Sequence, residues 1–186
     1  MRLLLRTIAS IAITATAALG AASCANAPAY VNVPAGQSAA EMRFVRSFGD
    51  PGFGGGANQS YSVSTDENCS SARDAGSFSW ATGSEKILRM TPDQPTLIWG
   101  YTVYYLPNGM SFVNGTPVSN LSHDGCRSVV RFTPERDHAY DVRQPTAPRS
   151  PGCALEIIDR STGKPAAAVE VLKLDACIEA GKAPKN

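Results

Sequence analysis

The residue types that most often carry chemistry are sparse in this chain, which has two histidines and five cysteines. His123-Asp124-Gly125-Cys126 has the look of half a metal site. Zinc sites normally show a second pair of ligands at matched spacing, and here His138 is the other histidine and no Cys-x-x-Cys occurs. Ser161-Thr162-Gly163-Lys164 matches the S-x-x-K pattern of penicillin-interacting serine enzymes, where serine and lysine lie one helical turn apart. In this chain the four residues sit among Asp159, Gly163 and Pro165 between two strand-like segments, and the partner motifs S-D-N and K-T-G are missing, so a turn is expected. A serine–histidine site would have to use His123 or His138, each beside an aspartate (Asp124 and Asp137), and no G-x-S-x-G elbow occurs. The acidic pair Asp66-Glu67 lies in a polar stretch and reads as solvated charge. The glycines from Gly49 to Gly56 would cradle phosphate only ahead of a helix N-terminus. They are followed by Ala-Asn-Gln-Ser-Tyr-Ser-Val-Ser, which reads as a strand. The expectation is therefore a protein that is not an enzyme and uses no cofactor or metal.

The cysteines have a simpler use. Residues 1–24 have the parts of a bacterial secretory signal: Arg2 and Arg6 in a charged start, an uncharged Ala- and Ile-rich run, and Ala21-Ala22-Ser23 before Cys24. Small residues directly ahead of a cysteine resemble the lipobox of bacterial lipoproteins, which makes Cys24 the expected lipidation site. Ala21 stands where that box usually has a large aliphatic residue, and cleavage after Ala25 is the alternative. Either route removes Cys24 from the thiol pool and leaves Cys69, Cys126, Cys153 and Cys177, an even number suited to two disulfides outside the cytoplasm. The favoured pairing is Cys69–Cys126 with Cys153–Cys177, the second bracketing a hairpin; sequence alone leaves the connectivity open.

The chain after the signal is about 160 residues, enough for one domain with its own core. Loss of Arg2 and Arg6 moves the formal charge from +1 to −1, and no basic patch or polybasic tract marks a nucleic-acid or lipid-headgroup partner. Membrane attachment would then come through the lipid on Cys24. The expected organisation is signal 1–24, tether or extended lead-in 25–38, folded domain 39–178 and polar tail 179–186.

Short segments with period-two alternation or dense β-formers recur along the domain. They are Met42–Arg46, the Ser- and Tyr-containing run after the glycines, Lys86–Met90, Thr96–Leu106, Met110–Val113, Arg127–Phe132, His138–Val142, Cys153–Ile158 and Ala168–Leu172. Tyr30–Val33 could add an edge strand, Thr65–Gly76 reads as a long loop, and one helical turn is expected near Ala176 to Ala180. Pro107-Asn108-Gly109 is the expected hairpin turn. Thr96–Leu106 is apolar at both parities and should be central, with Leu97, Trp99, Tyr101, Val103 and Tyr105 on one face and Ile98, Tyr104 and Leu106 on the other. Core packing is the expected use of the first face. Its alternative is a ligand face built on Trp99, Tyr101 and Tyr105. The whole predicts an all-β antiparallel sandwich, or small barrel, of about 7–9 strands.

Three segments, Pro34–Phe44, Phe132–Tyr140 and Cys153–Asp159, resemble a loose group of small bacterial envelope lipoproteins with transthyretin- or immunoglobulin-like β-sandwiches and no assigned activity. The resemblance implies a sandwich fold, an envelope location and a structural, buried Tyr140. It carries over no functional residues. The expected function is a non-catalytic exported envelope protein, a lipoprotein on the Cys24 reading, with a structural or partner-binding role. The alternative is a periplasmic inhibitor of a cell-wall hydrolase such as lysozyme, and a barrel for an apolar ligand is a third reading.

Overall fold

Apolar and charged residues alternate in Ala-Glu-Met-Arg-Phe-Val, which forms the first strand, β1 (Ala40–Val45), with Ala40, Met42 and Phe44 buried and Glu41 and Arg43 on the other face. The computed structural model describes residues 27–49, 55–67, 69–149 and 152–173. Within them the further strands are β2 (Gly56–Ser64), β3 (Arg73–Ser79), β4 (Glu85–Met90), β5 (Thr96–Val113), β6 (Thr116–Phe132), β7 (Ala139–Arg143), β8 (Glu156–Asp159), β9 (Lys164–Pro165) and β10 (Glu170–Leu172). They form two five-stranded sheets, ordered β4-β1-β7-β8-β9 and β10-β6-β5-β2-β3. The sheets pack as an all-β sandwich and do not close into a barrel. Every neighbour is antiparallel except β1 and β7, which run parallel.

The core lies between the sheets. Met42, Phe44, Leu88 and Tyr140 from one meet Tyr61, Ile98, Val130 and Phe132 from the other. Tyr140 stacks edge-on against Phe132 with ring centroids 4.9 Å apart, and its hydroxyl accepts the Glu135 N–H at 3.2 Å. The outer face of the first sheet is ionic. Parallel pairing sets Arg43 opposite Asp141, so the guanidinium donates to both carboxylate oxygens at 2.8 and 2.7 Å, and Arg160 reaches Glu41 at 2.7 Å. Solvated pairs of this kind add little stability each, but they leave that face polar.

Five sequence expectations need correction. The stretch expected as a loop to Gly76 already contains strand at Arg73, where β3 pairs with β2 across a register shift. Ala29 makes a single bridge to Asp74 where an edge strand was expected, while the Val33 N–H donates to the Arg89 carbonyl at 2.9 Å. This lead-in thus joins the edges of β3 and β4, one from each sheet. On β5 the core takes Ile98, Tyr104 and Leu106, and Trp99, Tyr101, Val103 and Tyr105 lie half-buried on the outer face. Both parities are apolar, so the pattern could not choose between them. The turn is at Asn114-Gly115 and not at Asn108-Gly109. A two-residue turn of the type that matches strand twist needs positive φ at both central residues, found at Asn114 (51°) and Gly115 (79°). At the earlier pair only Gly109 (86°) adopts it. There Asn108 and Gly109 form a bulge, because Pro107 pairs with Leu121 and Met110 with Ser119.

The fifth correction concerns the disulfides. Cys126 is bonded to Cys153, Cα–Cα 5.3 Å, so neither favoured pair forms. After β7 the chain leaves one sheet and crosses to the other, where the Arg149 N–H donates to Asp124 on β6 and Cys153 meets Cys126. Cys69 is also disulfide-bonded. Cys24 and Cys177, like the turn expected near Ala176, lie outside the described residues.

Candidate functional site

Three places bring polar or aromatic side chains together, and they differ in access. The first is sealed. Gln144 follows β7 and is 0% exposed, its amide wedged against Gly100 of β5. Its Nε2 donates to the Gly100 carbonyl at 3.1 Å and to Ser128 Oγ at 2.8 Å, and its Oε1 accepts the Thr102 hydroxyl at 2.8 Å. Gln59 Nε2 donates to Thr102 Oγ1 at 2.9 Å and to the Gln144 carbonyl at 3.1 Å, while Gln59 Oε1 accepts the Ser47 N–H at 2.8 Å. The Gln144 N–H reaches the Tyr61 hydroxyl at 3.0 Å, and that hydroxyl donates to the Val45 carbonyl at 2.9 Å. Among the described residues no buried side-chain polar atom is left without a partner. A saturated, water-excluded layer of this kind fixes how the sheets sit on one another and has no free group for chemistry. It divides the larger core from a smaller one of Ala57, Tyr104 and Leu106, against which Phe48 packs.

The sequence-level catalytic candidates are dispersed or locally satisfied. The Ser161 N–H and hydroxyl both donate to Asp159, and Gly163 has φ +67°, so Ser161–Lys164 is the β8–β9 turn. His138 Nδ1 lies 3.2 Å from the other Asp159 oxygen, not against Asp137, whose carboxylate accepts from Ser38. The serine proton is therefore directed at the carboxylate and not at the imidazole, the reverse of a nucleophile–base pair. The accepted hydrogen bonds, those from Ser161 first, hold the Asp159 carboxyl below its usual range. His123 and Asp124 are adjacent on β6 and so point to opposite faces: His123 sits edge-on to Tyr105, and Asp124 accepts from Arg149. Asp66 accepts the N–H groups of Ser70 and Ser71, which closes a turn and depresses its pKa, Ser71 contributing most. Gly56 opens a strand, so no helix N-terminus follows the glycines. Among the described residues no group of three or more His, Cys, Asp or Glu is placed to hold a metal.

The third place is open. Tyr105 is the last β5 residue paired to β2, but β5 and β6 continue together as a two-stranded arm to the Asn114-Gly115 turn. The paired lengths from Pro107 to Val113 and from Thr116 to Leu121 make the arm about 20 Å long at strand rise. Met110 (70%), Phe112 (71%), Val113, Val118 (42%) and Leu121 (51%) are exposed on it. β6 keeps its alternation throughout, so Pro117, Leu121, His123 and Arg127 share one face. The bulge shifts the parity of β5, which brings Met110 and Phe112 onto the same side as Tyr105. The three candidate ligand-face residues, Trp99, Tyr101 and Tyr105, thus lie along β5 on the outer face and continue into the apolar side of the arm. The Arg127 guanidinium stands 4.8 Å over the Tyr101 ring.

The arm escaped the sequence reading, although one signal for it was present: from Gln94 to His123 no Asp, Glu, Lys or Arg occurs. Such a run suits a buried strand, yet half of it stands in solvent. Comparisons with protein-family models, curated proteins and solved structures find no match to this chain, so the site is defined by its own geometry.

Proposed function

We propose that the protein is a non-catalytic exported envelope protein, anchored through a lipidated Cys24, that binds a protein partner through the β5–β6 arm. It would belong with the small β-sandwich lipoproteins whose segments it resembles. The observation that carries this reading is the arm itself: a projecting ribbon with exposed Met110, Phe112, Val113, Val118 and Leu121 and no formal charge. Contiguous exposed apolar surface on a protein of this size is characteristic of an interaction site. A two-stranded ribbon is also marginal in water by itself, so a bound partner would stabilise it.

The test is crosslinking in intact envelopes with the full chain and with a shortened arm, Leu106 joined to Ser122 through an Asn-Gly turn. Loss of the crosslinked species in the shortened protein is expected; an unchanged crosslinking pattern overturns the role of the arm. Intact mass of the envelope-extracted protein tests the anchor, and a chain starting at Asn26 without lipid overturns it. The narrow projecting arm also favours one second reading, insertion into the cleft of a cell-wall hydrolase. Undiminished lysis by several lysozymes in the presence of the protein removes that reading.

A further inference from the structure

We propose that the arm's partner is a second copy of this chain, paired antiparallel about a two-fold axis along the open edge of β6 from Thr116 to Cys126. This rests on the reading of the arm as a binding device and names its occupant. β10 covers β6 only at Val129–Arg131, and among the described residues no strand flanks Thr116–Ser128 on that side. Such an edge is a row of backbone donors and acceptors that templates another strand. Proteins usually blunt these edges with charge, proline or a bulge. Here Thr116–His123 carries no charge, its one proline lies beside the turn, and the bulge is on β5.

Two observations choose a second copy over other occupants. Insertion of the arm into lipid would leave both of its outer edges without hydrogen-bond partners in a medium that supplies none, whereas a paired strand completes one of them. Charge also permits self-pairing. The formal charge is +1 for the whole chain and −1 once Arg2 and Arg6 are lost with the signal, so copies repel little at long range. A two-fold register centred on Leu121 sets Asp124 against Val118 and Leu121 against its own copy. One centred on Ser122 sets Asp124 against Asn120 and Arg127 against Pro117. Neither opposes like charges. The interface is isologous: each arm lies along the other copy's edge, and each two-stranded arm becomes part of a wider sheet.

Sedimentation velocity of the exported, disulfide-bonded full chain tests this over about 1 to 100 µM, a range that brackets weak self-association. Wild type is expected to double in mass as concentration rises. Val118→Lys with Leu121→Lys places charge on the edge at exposed positions and should give monomer at every concentration, with an unchanged circular dichroism spectrum. Met110→Ser with Phe112→Ser reduces the apolar side of the arm but keeps the β6 edge uncharged, and should weaken the dimer less than the two lysines do. A wild type that stays monomeric throughout overturns the proposal, as does a dimer that survives the two lysines. A dimer lost only in the β5 variant also overturns it, in favour of docking through the apolar face. A monomer that floats with phosphatidylethanolamine–phosphatidylglycerol vesicles only while Met110 and Phe112 are intact assigns the arm to lipid. If the wild type is monomeric but the shortened arm still loses its envelope crosslink, the partner reading stands and the self-pairing falls.

Discussion

Replacing Gln144 by methionine keeps most of the side-chain volume and removes its amide from the sealed layer between the sheets. The amide makes three side-chain hydrogen bonds within 3.1 Å, to Gly100, Ser128 and Thr102, at a site with 0% exposure. Thr102 keeps the donation from Gln59 at 2.9 Å, so it loses an acceptor for its proton but not its whole environment. Ser128 and the Gly100 carbonyl lose the amide donor outright. A buried polar group left unpaired costs about 1–3 kcal/mol; with the two hydroxyls free to rotate toward other partners, the expected total is about 3–5 kcal/mol. That is a large part of the roughly 5–15 kcal/mol that holds a domain of this kind together. Urea unfolding with disulfides intact should report the loss as a lower midpoint at unchanged slope. Removing both sides of a hydrogen bond is far less costly than removing one, so adding Thr102→Val and Ser128→Ala to Gln144→Met should recover part of the loss. Recovery would be incomplete, because Gln59 Nε2 then keeps only the Gln144 carbonyl at 3.1 Å. A Gln144→Met protein within about 1 kcal/mol of wild type would refute the reasoning, since ordinary surface changes already span half of that.

Gly100→Ala would place a Cβ 3.1 Å from the Gln144 amide carbon and oxygen in a closed site, so overpacking should cost about 1–3 kcal/mol, read by the same unfolding assay. Non-reducing peptide mapping should recover a Cys126–Cys153 crosslink, and a Cys69–Cys126 peptide would contradict it. Removing that crosslink with alanine at both positions should cost about 3–4 kcal/mol from loop entropy, given its separation of 27 residues. Burial pushes the Tyr61 phenol up from 10.0 to about 12. The unfolded chain then gives up its proton first, so this contribution to stability is complete below about pH 10 and is lost as pH rises through 12. Tyr61→Phe should flatten the fall in stability across that window, and an unchanged slope would remove Tyr61 as its source.

Period and composition made the fold class legible. Met42 and Phe44 alternate with charge, the aliphatic and aromatic run at Thr96–Leu106 is central, and turn residues separate the rest. What the pattern could not resolve was symmetric in sequence but not in space. β5 is apolar at both parities, and only the opposite sheet decides that Ile98 and Tyr104 face inward. Two Asn-Gly pairs start six residues apart, at Asn108 and Asn114, and local preference alone treats them alike; pairing with β6 makes one a bulge and the other the turn. Arg73–Ser79 looked polar because its outer face is serine, while Ala75 and Phe78 are buried. The disulfide was lost for a similar reason: spacing along the chain says nothing about the strap that returns Cys153 to the second sheet.

The arm illustrates how a strong local signal becomes functional only through the place where its partners stop. An uncharged run from Gln94 to His123 would be unremarkable if both sheets covered it. β2 pairs with β5 only as far as Tyr105, so beyond the buried Leu106 the same composition meets water on both faces. The bulge at Asn108-Gly109 then matters more than as an irregularity. Without it, Met110 and Phe112 would lie on the opposite side from Tyr105 and Leu121, and the apolar surface would be split between two faces. With it, one side of the arm continues the Trp99–Tyr105 stripe. Inserting one glycine between Asn120 and Leu121, opposite the bulge, should therefore restore unbroken pairing and turn Met110 and Phe112 to the other face. If crosslinking through the arm depends on that continuous side, the insertion should abolish it as fully as shortening the arm does; crosslinking that survives the insertion would refute a role for the continuous side.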